Sequence, residues 1–570
     1  MKLKILVIQV LFAFLFAGCE DYLTRIPEDS YSEGSVWKTE ADLRFALNGL
    51  YRQLPHPGSN NFGFPYKSEI IYQLFTEDGW DRASGGAIRF ANIDFNSSAI
   101  VIGHEWDRYS LIRDCNEFIT RAPMAEIDED LKQRFIAEAR FIRAMNYARL
   151  NFLFGAVPLV TEPTAPDFFP KRATREKVFE FVKQEFSEIA LILPEQYSGN
   201  DIGRITQGAA LAFKARHLLN AIDWHTNTNE LYMEAREACE SVYGSGVYSL
   251  DQGVEGYRKL FTSESEHGNS NEAILTSNFD PETRTHTYNR CVVPKGAFGG
   301  TNKNSTYLGV TNRLIEAFQM ANGKDVHDPE SGYDNANPWD SRDPRLDITV
   351  LRAGEEIPAK SSIDGITPTY IFDPHPKIKP PGGVTTDDVN KPTNPTGYNI
   401  WKYVDFDVVS SIECHVDYKV MRFAEVILMY AEALLGETGN IAPAMQLVDE
   451  VRTRVNMPDV ETSYGAVASV DEALNIILNE RRFELATEGP QRFFDVRRHR
   501  LGEQVFADPN VYGIPLGPDR VPDKNVLEGD LDNSVKNLCG QKLFNPDTYY
   551  LWPVPQSAID VNPNLMEDPE

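Results

Sequence analysis

Apolar positions along this chain recur mostly three and four residues apart, the period of helices buried along one face. Thr39, with Asp42 three residues on, reads as a helix N-cap, and Leu43, Leu47, Leu50, Tyr51 and Leu54 follow at helical spacing. A second helix is predicted from about Trp106 to Thr120 and a third from Leu131 to Phe154. In the third, Phe135, Ala139, Ile142 and Met145 mark one face, but Phe141, Ala144 and Ala148 make other faces apolar too, which places it inside a bundle. The same period runs through 175–193, 207–224 and 229–243, and returns at 422–436, 440–455 and 471–488. The 207–224 and 229–243 segments pair as a hairpin of tetratricopeptide type, and Ala137-x-x-x-Phe141 has that repeat's small-to-aromatic spacing. A clean repeat of about 34 residues is absent from the sequence, so the units are degenerate.

The pattern breaks twice. Residues 55–105 are rich in Gly, Pro, Asn and aromatics, and residues 246–415 carry Pro, Gly, Asn and Asp throughout. An irregular stretch this long inside a compact body is usually functional or carries short strands. "EAILTSNF" and "NIWKYVDFDV" are the strand candidates. The expected fold is mainly α: a tetratricopeptide-like scaffold with an N-terminal part over 39–245 and a C-terminal part over 416–570. A large loop-rich insertion with a few short strands separates them over 246–415.

The first residues are of another kind. Lys2 and Lys4 precede an apolar run from Ile5 to Gly18 that is shorter than the roughly 20 residues of a bilayer span, so it reads as a secretory signal. Leu15-Phe16-Ala17-Gly18-Cys19 looks like a bacterial lipobox, which makes 1–18 a lipoprotein signal peptide, Cys19 the lipid attachment point and 19–38 a tether. The other cysteines, Cys115, Cys239, Cys291, Cys414 and Cys539, have no metal-ligand spacing and read as core thiols, with one unassigned disulfide left open. A net charge of −28 argues against nucleic acid as a partner and against a basic face for membranes, so membrane contact falls to the lipid.

Catalytic motifs are missing: no H-E-x-x-H, G-x-S-x-G, Walker A or strand-linked G-x-G-x-x-G occurs. In "NERRFELATEGPQRFFDVRRHR", Glu480, Glu484 and Glu488 lie four apart on one helical face, and such carboxylates could flank a glycosidic bond as acid and base. Arg481, Arg482, Arg492, Arg497 and Arg498 crowd the same segment and would hold them ionised, the wrong direction for a general acid. An ion network that holds helices together is the expectation, with no enzyme activity and no cofactor.

Aromatics carry more information, because sugars stack on Trp, Tyr or Phe while Asp, Asn and Arg take their hydroxyls. Trp106 and Trp224 fall in helices, Trp37 at a helix entrance, Trp552 where it would seal the scaffold and Trp401 in a strand candidate. Trp80 lies in "TEDGWDRASGG" beside Asp78, Asp81 and Arg82, and Trp339 in "YDNANPWDSRDPR". A second candidate loop, "HTYNRCVVPKGAFGGTNKNSTY", joins Tyr288, Asn289, Phe298 and Tyr307 to a glycine-flanked tip. A loop tryptophan can equally pin its own loop.

Six segments together resemble the SusD/RagB family of Bacteroidetes outer-membrane nutrient-binding lipoproteins. They are the lipobox with "CEDYL", "SVWKTEADLRFALNGLY", "AEARFIRAMNYARLNFLFGAVPLV", "RFAEVILMYAEAL", "NERRFELATEGPQRFFDVRR" and "YYLWPVPQSAIDVNPNL", in that family's order. The resemblance implies a lipid-anchored protein at the cell surface that caps a SusC-like TonB-dependent transporter and captures oligosaccharide or polysaccharide without catalysis. It places the groove, by location only, at the loop of Asp78, Trp80, Asp81 and Arg82 and the region from Tyr288 to Tyr307, where a preformed aromatic shelf would hold the glycan. A peptide-binding lid is the second reading, and a helical polysaccharide-degrading enzyme a distant third. The identity of the ligand, and whether Ca²⁺ orders a loop, stay open.

Overall fold

Thr39 opens helix α1, Glu40–Tyr51, through a complete capping box: its hydroxyl accepts the Asp42 N–H at 3.2 Å and the Asp42 carboxylate accepts the Thr39 N–H at 2.9 Å. The computed structural model describes residues 37–58, 69–81, 95–165, 167–294, 308–334, 337–352, 354–358, 369–372, 394, 396–404, 413–515, 536–567 and 569. Cys19, Arg82, Phe298 and Tyr307 lie outside the described residues, as do the signal and tether segments before Trp37.

The long helices that follow are α2 (Arg108–Arg121), α3 (Glu129–Phe154), α4 (Arg175–Ala190), α5 (Gln207–Leu219) and α6 (Thr228–Gly244). After the irregular region come α7 (Phe423–Thr438), α8 (Ile441–Arg454) and α9 (Val470–Glu484). Local chemistry sets several ends. Asp128 accepts the Leu131 N–H at 3.0 Å to start α3, Ser469 accepts that of Glu472 to start α9, and Gly439 closes α7 in the left-handed conformation at φ +68°. The predicted helix at 106–120 is divided at Asp107, with a short Ile100–Trp106 helix ahead of α2.

Each helix packs on the next in sequence: α2 on α3, α3 on α4, α4 on α5 and α5 on α6. Helix α6 then packs on α7, so the two helical parts are continuous in space although the irregular region separates them in sequence. Gly436 explains the close approach, because a Cβ there would stand 2.6 Å from the Tyr232 ring on α6. Helix α3 is buried nearly all round, as its apolar pattern predicts, with Phe135, Phe141, Ile142, Tyr147 and Leu150 inside. This is a mainly α, tetratricopeptide-like scaffold.

Short antiparallel strands organise the irregular half. One sheet has the order Gly79–Asp81, Leu308–Val310, Asn399–Ile400, Val350–Leu351, and Ala273–Ser277 pairs with Tyr418–Arg422, the strand that runs straight into α7. The 272–279 segment is thus a strand as predicted, whereas 399–408 holds only Asn399–Ile400 among the described residues, with Trp401 half-buried just after it. Trp37 meets Phe118 edge-on at 5.8 Å, and Trp106 meets Phe154 at 5.1 Å.

None of Cys115, Cys239, Cys291, Cys414 and Cys539 is in a disulfide, so the pair left open by the sequence is not formed. Burial pushes the Cys291 and Cys539 thiols up to about 12, which keeps them protonated and slow to react. In denaturant without reductant, all five thiols should titrate with a disulfide reagent. A deficit of two would show that a pair is oxidised.

Candidate functional site

The Trp80 segment is drawn inward by its own charges. Arg482 donates from Nε to the Asp78 carboxylate at 2.9 Å, and Arg492 from Nε to Glu77 at 3.0 Å. Burial pushes the Glu77 carboxyl up, but Arg492 and Arg482 outweigh it and hold the group at about 2. Thr311 donates its hydroxyl to the Glu77 carbonyl at 2.7 Å and its N–H to that of Asp78 at 2.9 Å, which sets the strand Gly79–Asp81 against Leu308–Val310. Trp80 is only 3 % exposed and packs on Val511 and Cys539 of the hairpin Asn510–Pro515/Lys536–Gln541. Gly540 makes room for it, since a Cβ there would lie 2.7 Å from the ring. Beneath, the buried Lys542 ammonium donates to the Leu74 carbonyl at 2.8 Å and to that of Thr76, and burial pulls its pKa down to about 7.

The other described candidates are buried as well. Tyr288 and Asn289 sit fully inside on the short helix Tyr288–Val292, with the Tyr288 ring against His286 and Tyr403. Trp339 packs on Tyr398 at 6.3 Å, with the Arg352 guanidinium over its ring. An exposed shelf built from Trp80, Tyr288, Asn289 and Trp339 is therefore corrected: these side chains form the core of the irregular half, as do Asp78 and Asp81. The physical reason is that burying a large ring is worth a few kcal/mol, while the neighbouring carboxylates find arginine partners inside. What the structure does bring together is the ends of the loops, since Asp81 and Leu308 are register partners and Gly309 pairs with Asn399.

The carboxylate row is an ion network, as expected, but α9 ends at Glu484, so Glu488 lies past the helix and not on its face, and the partners are not the neighbouring arginines. Glu480 is held by Arg345 at 2.5 Å and Arg452 at 2.9 Å; Glu484 by Arg422 at 2.6 Å, Arg345 at 3.0 Å and Arg454; Glu488 by Arg422 at 2.7 Å and Lys402 at 2.8 Å. Burial pushes the Glu484 carboxyl up, but Arg454, Arg422 and Arg345 prevail and keep it well below the ordinary range. Adjacent residues on a helix point about 100° apart, so Arg481 and Arg482 cannot turn onto the glutamate face. Arg481 takes Asp495 at 2.9 Å, and Arg497 donates to the Phe152 and Tyr550 carbonyls at 3.2 and 2.5 Å.

Two concave surfaces flank the end of α1 and share Arg52 and Leu54. A cleft of about 200 Å³ is lined by His56, Glu69, Glu105, Arg108 and Asn146, and apart from Arg52 its charges are matched, with Arg108 donating to Glu105 at 2.6 Å. The second, about 220 Å³, lies towards Thr276, Asn278 and Arg284, none of which the sequence singles out. Asn48 near the end of α1 and Arg52 at its C-cap line it too, and no sequence signal marks them. Glu176, Glu180 and His225 come within metal-ligand reach of one another. The His225 Nδ1, however, accepts the Asn227 N–H at 3.1 Å, which leaves the proton on Nε2, 3.3 Å from Glu176. Glu180 pairs with Lys183 at 3.0 Å, so the cluster is satisfied as it stands.

Comparison with known proteins agrees along the whole scaffold. Residues 271–570 match the SusD family, and residues 46–219 match a family described as starch-binding, associating with the outer membrane. The SusD-like protein P2 of Formosa agariphila is 24 % identical over 552 residues, covering 92 % of this chain and 98 % of that one. Among solved structures, a SusD-like carbohydrate-binding protein from Bacteroides fragilis aligns with a TM-score of 0.77 at 23 % identity, covering 93 % of this chain and all of that one. A laminarin-binding SusD-like protein aligns with a TM-score of 0.64 at 20 % identity, covering 94 % of this chain and 100 % of the other.

Proposed function

Because the chain belongs to the SusD family, we propose that it captures glycan at the cell surface and passes it to a SusC-like TonB-dependent transporter, held at the outer membrane by lipid on Cys19. The observation that carries this reading is the family match over both helical parts, 46–219 and 271–570. The laminarin-binding neighbour supports carbohydrate as the ligand class. Binding without turnover is supported by Glu480, Glu484 and Glu488, whose oxygens are committed to arginine and lysine. In this reading Trp80, Tyr288, Asn289 and Trp339 brace the sheet from within, Asp78 and Asp81 anchor the first loop, and Arg82, Phe298 and Tyr307 meet the ligand. Moderate affinity suffices, because tethering beside the transporter raises the effective concentration of captured glycan and release must follow.

Native gels cast with a panel of polysaccharides test the reading. Retardation of the purified protein by at least one glycan class is expected. Migration unchanged by every polysaccharide, with no calorimetric signal for oligosaccharides, would overturn it.

A further inference from the structure

Most arginines in the N-terminal helical part are matched to carboxylates, whereas the Arg175 guanidinium lies over the Trp224 ring instead. Arg44, Arg134 and Arg204 all reach Asp201, Arg149 takes Glu69 at 2.5 Å, and Arg140 and Arg143 share Glu185. Arg52 at the end of α1 and Arg284 in the irregular region are held differently: among the described residues no Asp or Glu forms an ion pair with either, and Arg284 donates to backbone carbonyls. Both line the same cavity of about 220 Å³, whose described wall also holds Arg204, Asn48, Asn200 and Asn278 and not one carboxylate. In a chain with 84 acidic and 56 basic residues, a concave surface lined by three arginines and no acid is the reverse of what chance placement would produce.

The wall is also rigidly built. Arg284 donates from Nη1 to the Asn278 carbonyl at 2.6 Å and from Nη2 to the Arg52 carbonyl at 3.0 Å, and its guanidinium lies 4.3 Å from the Phe279 ring. Burial, and then the charge of Arg52, pull the Arg284 pKa down to about 10. Gly203, at φ +89°, lets the neighbouring turn close onto Asn278, where a Cβ would stand 2.6 Å from Nδ2. Asp417 offsets the Arg284 charge only in part, since burial and Arg52 still lower its pKa, and an anion in a cavity wall that holds no carboxylate relieves the remaining repulsion between the two like charges. Asparagine amides suit sugar hydroxyls, whereas guanidinium forks suit carboxylate or sulfate oxygens. The volume is below the roughly 300 Å³ at which drug-sized sites begin, and fits one residue of a longer chain.

We propose that this cavity is a subsite for an acidic sugar residue, a uronate or a sugar sulfate, within the glycan that the protein captures. The inference rests on the glycan reading above. Its test compares polygalacturonate, a sulfated galactan and the neutral glucan laminarin, in native gels and by calorimetry, at low and high NaCl. At least one acidic polymer should bind, with an affinity that falls as salt rises, and Arg52→Gln should weaken it by about tenfold or more. Which polymer binds separates carboxylate from sulfate. The Arg52 side chain has no described partner to lose, so that variant should keep the wild-type thermal midpoint; Arg284→Gln, with its folding checked by circular dichroism, serves as the second. Binding of laminarin alone, or acidic binding that both substitutions leave unchanged, overturns the subsite and leaves glycan capture standing. Binding of no polymer overturns both.

Discussion

Glu484→Gln should lower the unfolding free energy by about 3–5 kcal/mol at neutral pH. The carboxylate is fully buried and receives Arg422 at 2.6 Å, Arg345 at 3.0 Å and Arg454. Its backbone carbonyl is a second hub, accepting from Arg422 Nη2 at 2.8 Å, the Tyr257 hydroxyl at 2.8 Å and Lys402 Nζ at 3.1 Å. Glutamine keeps the shape but removes the charge, leaving guanidiniums from α8, from the strand before α7 and from the short helix Pro344–Thr349 under-compensated in a site without water access. The pH dependence follows from the direction of the shift. The folded pKa lies below the unfolded one, so the carboxylate contributes its full stability above the ordinary glutamate value, about 4.3, and loses it as pH falls through the folded value. The gap in urea midpoint between wild type and variant should be widest at pH 7 and shrink below about pH 4. A gap that is the same at pH 7 and pH 3 would assign the loss to packing instead of charge.

Trp552→Ala should cost about 3–5 kcal/mol, the range for truncating a fully packed aromatic. The ring is 2 % exposed and joins parts far apart in sequence: Phe95 at 4.6 Å, Phe154 at 5.9 Å, Phe75 and Phe493 at 6.1 Å, and Tyr72 stacked at 6.5 Å. The Trp552 backbone N–H donates to the Leu153 carbonyl at 2.8 Å, so the C-terminal segment is pinned to the end of α3 by backbone and ring together. The cavity left by alanine should collapse only in part, because Phe154 and Phe493 in its walls are held on helices packed elsewhere. Trp552→Phe, which keeps a ring, should recover part of the loss. Guanidinium unfolding at constant slope measures both, and an alanine cost near 1 kcal/mol would mean that the aromatic cluster closes over the gap.

Local chemistry was legible in the sequence. The Thr39–Asp42 capping box, the all-round apolar α3 and the starts of α4 to α9 depend on residues within a few positions of one another, and so does helix formation. The expected ends at 193, 224 and 488, by contrast, overrun the observed ends at Ala190, Leu219 and Glu484, which leave Trp224 outside a helix. Trp552 as a seal was legible too, as was the glutamate row as an ion network. The identity of the network's partners was not: Arg345, Arg422 and Arg454 come from other elements, while the sequence neighbours Arg481 and Arg482 face away to Asp495 and Asp78. Trp80 shows the same limit in the opposite sense. A tryptophan among aspartates and glycines reads as a surface loop, yet Val511, Cys539 and Gly540 cover it from the far end of the chain. Likewise nothing around Arg52 or Arg284 marks them, since an unmatched charge is defined by what fails to reach it. Periodicity and caps are short-range, so the chain alone determined its helices; burial and charge pairing are settled by contacts between distant segments, so only the tertiary structure decided which rings are core and which guanidiniums remain available.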